Sequence, residues 1–196
     1  MRKVDYLQCA LLAGLIGLVI PLKGFASPHK EIDLRTMSEA TGEYDISLCA
    51  RTSPSGPVPG HAFVVYSHRP PGKERKILAV GFTTSSGPMQ AALSYKGWLT
   101  KADGYLGEER YTSVNERCLL AHLDKRVFEQ AWSLAHPFVS IPGLSDLRWT
   151  GAYTLAQNDC MTFMSSVADS LKGVKVPARG ATELPLAYLR RLIDLN

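Results

Sequence analysis

The chain is poor in cysteine, with four in 196 residues, and none forms a CxxC pair. The sequence is a poor source of a four-ligand zinc site, and no metal or cofactor is expected. Charge of one sign is also scarce. The 22 basic and 18 acidic residues give +4 with no basic run, too mild a balance to argue for nucleic acid. Internal repeats and low-complexity tracts are absent, and a hydrophobic content of 45% suits an ordinary globular domain.

Long apolar runs are missing except at the N-terminus. Arg2 and Lys3 precede an apolar stretch from Leu11 to Ile20, and Gly24-Phe25-Ala26 supplies small residues at a cleavage site. Residues 1–26 read as a signal peptide. The apolar stretch is shorter than the about 20 residues of an easy membrane span. Cys9 lacks the small residue that a lipoprotein signal places before its cysteine. The expected product is exported, periplasmic or secreted, and touches a membrane only if the leader stays uncleaved. Cleavage leaves residues 27–196 as a single domain carrying +2, expected to be a monomer.

Three cysteines then remain, an odd number for an exported protein. Cys49 and Cys118 each lie in a strand-like stretch, and either a disulfide or two buried thiols fits them. Cys160 is left over.

Alternation marks Tyr44–Arg51 as a strand, and β-branched and aromatic content marks His61–His68 as a buried one. A short polar turn joins the latter to a strand over Lys76–Thr84, which predicts an antiparallel hairpin. Residues 85–109 read as loop, short helix or both. Arg110–Leu123 reads as a strand. Asp124 is a good N-cap for a helix whose apolar positions are Val127, Phe128, Ala131, Leu134 and Ala135. A last helix covers Leu186–Ile193, with Pro185 in its first turn. Strands followed by helices predict an α+β fold, an antiparallel sheet with helices packed on it.

The chemistry concentrates in YTLAQNDCMTFMSSVADSLKGVKVP, from Tyr153 to Pro177. A helix over Asp159–Lys172 has Asn158 as N-cap, Gly173 past its end, and Cys160, Phe163, Met164, Val167, Ala168 and Leu171 on one face. Cys160 opens that face at the helix N-terminus, where converging N–H dipoles favour a thiolate and can meet an oxyanion. A buried structural cysteine is the competing reading. A thiolate nucleophile needs a base, usually histidine. Of five histidines, His61 follows a glycine at the very start of a buried strand; His29 reads as part of a disordered polar stretch beside the leader, and His68, His122 and His136 read as surface residues.

Together, GHAFVVY and the later Y-x-L-x-x-N-D-C-x-x-F resemble the circularly permuted NlpC-type, papain-like cysteine hydrolases, a group that includes lecithin–retinol acyltransferase-like enzymes. The resemblance spans roughly residues 44–177. It implies a papain-like core in permuted order, with Cys160 as nucleophile and His61 as general base. It implies a third polar residue on the next strand, where Thr83 is the candidate, and Tyr153 as a possible oxyanion donor. The implied reaction is amide or ester hydrolysis through a thioester, on a peptide, peptidoglycan or lipid acyl substrate, with peptidoglycan stem peptides first. The alternative is an inactive binding domain of the same fold. The aromatic stretch from Gly87 to Glu109, with Tyr95, Trp98 and Tyr105, is a candidate wall of the cleft.

Overall fold

Strand β3 (His61–Arg69) has six consecutive buried residues, because both faces of the sheet are covered where it runs. It forms the middle of a seven-stranded sheet in a computed structural model that describes residues 30–36, 42–52, 60–109, 117–135 and 149–196. The proposed leader, His29 and His136 lie outside the described residues. The other strands are β1 (Lys30–Asp33), β2 (Glu43–Arg51), β4 (Lys76–Thr84), β5 (Ala102–Glu108), β6 (Arg117–Leu123) and β7 (Trp149–Tyr153). Their order is β1-β6-β2-β3-β4-β5-β7. The β3–β4 hairpin forms as its polar turn predicts. The sheet is antiparallel except for β1, which joins β6 in parallel.

Among the described residues four α-helices accompany it: α1 (Gly87–Leu93), α2 (Lys125–Trp132), α3 (Cys160–Ser170) and α4 (Pro185–Leu195). The fold is thus mixed α+β. Helices α3 and α4 cover one face, against Ile46, Leu48, Val64, Val80 and Phe82. The opposite face buries Cys49, Phe63, Val65, Ala79 and Cys118. Cys49 and Cys118 face each other across β2 and β6 and form a disulfide, which resolves the two readings of that pair.

Several expectations shift by a residue or two. Asp124 sits at the N-cap of α2, yet its carboxylate is taken by the backbone N–H and hydroxyl of Thr36. Along α3, Met161 is buried at 1% exposure and Phe163 is only partly covered, so the apolar stripe turns toward β3 earlier than its spacing indicates. His68 is no surface side chain: its ring stacks on Tyr44 at 4.4 Å, and Nε2 is buried without a hydrogen-bond partner. His122 gives Nδ1 to the buried Asp45 at 2.7 Å, a carboxylate that Arg75 also holds.

Candidate active site

The turn from Tyr153 to Asp159 aims the start of α3. Thr154 and Asn158 bridge across it, the Thr154 N–H donating to the Asn158 carbonyl at 2.9 Å. Ala156 sits at φ 69°, a left-handed conformation that costs an alanine about 1 kcal/mol or more. Asp159, rather than Asn158, is the N-cap. Its Oδ1 accepts from the backbone N–H of Met161 at 3.0 Å and of Thr162 at 3.2 Å, and its Oδ2 from that of Ala156 at 2.8 Å. Asn158 instead donates its side-chain amide to the Ala152 carbonyl at 2.8 Å. One carboxylate thereby ties the turn to the first helical amides.

A bare carboxylate at the residue before Cys160 would oppose a thiolate there. Arg179 offsets it with a two-pronged ion pair, both N–H···O distances 2.8 Å, on an Asp159 side chain only 1% exposed. Two of the first-turn amides are thus committed to Asp159. The Cys160 amide is left to face a developing oxyanion.

Cys160 is buried, is the free cysteine among the described residues, and forms part of the lining of a cavity of about 150 Å³. His61 comes from the first position of β3, after Gly60, whose φ of 81° places it against the Arg51 carbonyl where a Cβ would collide. The structure brings the Cys160 sulfur close enough to the His61 imidazole to act on the charge of the ring. Burial opposes charge on the imidazole. The Cys160 sulfur and the Glu109 carboxylate outweigh burial and raise the His61 pKa to about 10.

Glu109 is the residue that the sequence reading missed. It follows β5, its backbone N–H donates to the Ala79 carbonyl at 2.8 Å, and its Oε1 stands 2.9 Å from His61 Nε2. The contact is off the N–H axis, so the carboxylate acts as a close counter-charge more than as an in-line acceptor. Arg51 holds the other oxygen at 2.8 Å. Burial would raise the Glu109 carboxyl; His61 and Arg51 hold it below its ordinary value.

Thr83, the expected third member, lies two residues beyond Gly81 on the same face of β4, toward Gly107. It is Glu109 that stands beside the imidazole. The missing signal was pairing: nothing local in Glu108-Glu109 shows that β5 returns alongside β4 and delivers a carboxylate to the start of β3.

Tyr153, at the end of β7, lines the cavity with Cys160, close enough for the sulfur to act on its phenol. Burial, and then the negative charge of Cys160 and Asp159, push its phenol well above the ordinary tyrosine range, so it remains a proton-bearing donor. Tyr95, also in the cavity lining, reaches across to the Ala181 carbonyl at 3.0 Å. Part of the aromatic stretch after Gly87 therefore does wall the cleft.

Comparison of the chain with family models, with curated proteins and with solved structures finds no match in any of the three. No cluster of potential metal ligands occurs among the described residues, and no helix there is long and apolar enough to cross a membrane.

Proposed function

We propose that this chain is an exported cysteine hydrolase with a papain-like core in permuted order, cleaving an amide or ester bond through a thioester. The observation that carries the reading is the closeness of the Cys160 sulfur to the His61 imidazole, with the Glu109 carboxylate 2.9 Å behind the ring. The sulfur attacks the carbonyl carbon, and the oxyanion is met by the Cys160 amide and the Tyr153 hydroxyl. His61 gives its proton to the departing amine or alkoxide, leaving an acyl group on sulfur. The neutral imidazole then takes a proton from water, whose hydroxide cleaves the thioester and releases the acid.

Peptidoglycan stem peptides are the leading substrate class, on the strength of the sequence resemblance. A lipid acyl ester is the second reading, favoured by Tyr95, Leu155 and Leu184 along the cleft. The test presents muropeptides and phospholipids separately and follows intact mass. Turnover that is abolished by Cys160→Ala, with a transient acyl adduct on Cys160, is expected for one class. Failure of both to react, together with iodoacetamide labelling of Cys160 that His61→Ala leaves unchanged, would overturn the reading.

A further inference from the structure

Helix α1 and the turn after it carry apolar side chains that the fold does not use. Met89, Trp98 and Leu99 are 77%, 75% and 77% exposed, Leu93 is 45% exposed, and α1 buries none of its residues. The segment is held by polar contacts instead. Ser94 is fully buried; its hydroxyl donates to the Ala91 carbonyl at 2.7 Å and accepts from the Leu155 N–H at 3.2 Å. The Lys96 N–H donates to the Leu155 carbonyl at 2.9 Å, and the Gln90 side chain to the Lys101 carbonyl at 3.2 Å. Lys96 and Gly97 are both left-handed, at φ 50° and 68°, and the chain leaves that turn with Trp98 and Leu99 in solvent.

Within the segment itself the charge has one sign. From Ser85 to Lys101 the chain contains no acidic residue and two lysines, Lys96 and Lys101. Trp98 packs edge-on against Tyr95 of the cleft lining, and Leu184, 53% exposed, lies on the same cleft. Tryptophan and leucine flanked by lysine and free of acid are the composition of a segment that lies in the headgroup layer of an anionic bilayer.

We infer that the segment Gly87–Lys101 docks on an anionic lipid bilayer, seating Trp98 and Leu99 among the headgroups with the mouth of the Cys160 cleft facing the membrane. This goes beyond the leader as a means of membrane contact and does not depend on which bond is cleaved.

The test uses the full chain carrying Trp132→Phe and Trp149→Phe, so that Trp98 is the reporter. Phosphatidylglycerol vesicles should shift Trp98 emission to the blue, and brominated acyl chains should quench it. Phosphatidylcholine vesicles should do so far more weakly. Lys96→Gln with Lys101→Gln should raise the half-saturating lipid concentration about thirtyfold, and Leu99→Ser should weaken insertion further. The fluorescence reads docking whether or not Cys160 turns over, so the hydrolase reading and this one fail separately. Emission from Trp98 that vesicles leave unmoved, even where the leader holds the chain on them, overturns the inference. So does emission that follows protein concentration and ignores lipid, which would assign the patch to a second copy.

Discussion

His61 Nε2 stands 2.9 Å from Glu109 Oε1 beneath the backbone of Gly81, where a side chain's first carbon would lie 2.5 Å from that nitrogen. The imidazole and its carboxylate occupy the volume that glycine leaves open. Gly81→Ala should therefore displace the ring from Cys160 without altering the core. The expected result is a fall in kcat of about 10²-fold, as a misplacement of about 1 Å produces. Thermal unfolding should change little by comparison.

The pH dependence follows from the same pair. His61 holds its proton up to about 10 against an ordinary 6.5, so its contribution to stability is complete below the ordinary value. That contribution is lost as pH rises through about 10. Glu109, held below its ordinary 4.5, contributes above that value and loses its contribution as pH falls through the lowered one. The thermal midpoint should be nearly flat between 4.5 and 6.5, fall progressively as pH rises from 6.5 to about 10, and fall again below 4.5. Glu109→Gln removes the counter-charge, which should move the alkaline decline to lower pH and reduce kcat by about 10²-fold. An unmoved alkaline limb in that variant would show that Glu109 does not support the imidazolium.

Tyr153 offers a narrower test. Its phenol lies close to the Cys160 sulfur and keeps its proton through the physiological range. Tyr153→Phe removes one oxyanion donor and leaves the packing against Phe82, whose ring lies 5.6 Å away. The expected loss is about 10²-fold in kcat with KM little changed, the pattern of an interaction made in the transition state.

Cys160 and His61 were legible because each stands where a local signal changes, a helix start and a strand start. Both signals depend on a few adjacent residues. Glu109 was not legible, because its place is set by β5 pairing with β4 across the α1 segment, a contact that no local pattern encodes. The Asn158–Asp159 choice failed for a different reason. Both residues are good caps, and the Arg179 pair that decides between them arrives from an irregular stretch twenty residues later. β1 escaped notice because its alternating Lys30-Glu31-Ile32-Asp33 is too short to stand out, and its strand neighbour, β6, lies far along the chain.

The disulfide closes a loop of sequence separation 69 between β2 and β6, strands that the sheet already pairs. In the chain-entropy account such a crosslink stabilises by about 4 kcal/mol, with less expected where residual structure persists in the unfolded chain. Cys49→Ala with Cys118→Ala should cost about 2–4 kcal/mol in urea unfolding and leave alkylation of Cys160 unaffected. A changed alkylation rate would mean that the bridge, though on the far face of the sheet, shapes the site.

Arg179 and Asp159 make the sharpest distinction between holding the helix and tuning its nucleophile. Arg179→Met leaves a carboxylate that is 1% exposed without its counter-ion, which should cost about 3–5 kcal/mol. The same variant places an uncompensated negative charge beside Cys160, so iodoacetamide should alkylate the thiol more slowly at neutral pH. Asp159→Ser keeps a capping oxygen and removes that charge. Combined with Arg179→Met it should recover much of the stability and also the alkylation rate, because neither partner is then left alone in the interior. If the double variant regains stability while alkylation stays slow, the guanidinium acts on the sulfur directly and is more than a partner for the cap.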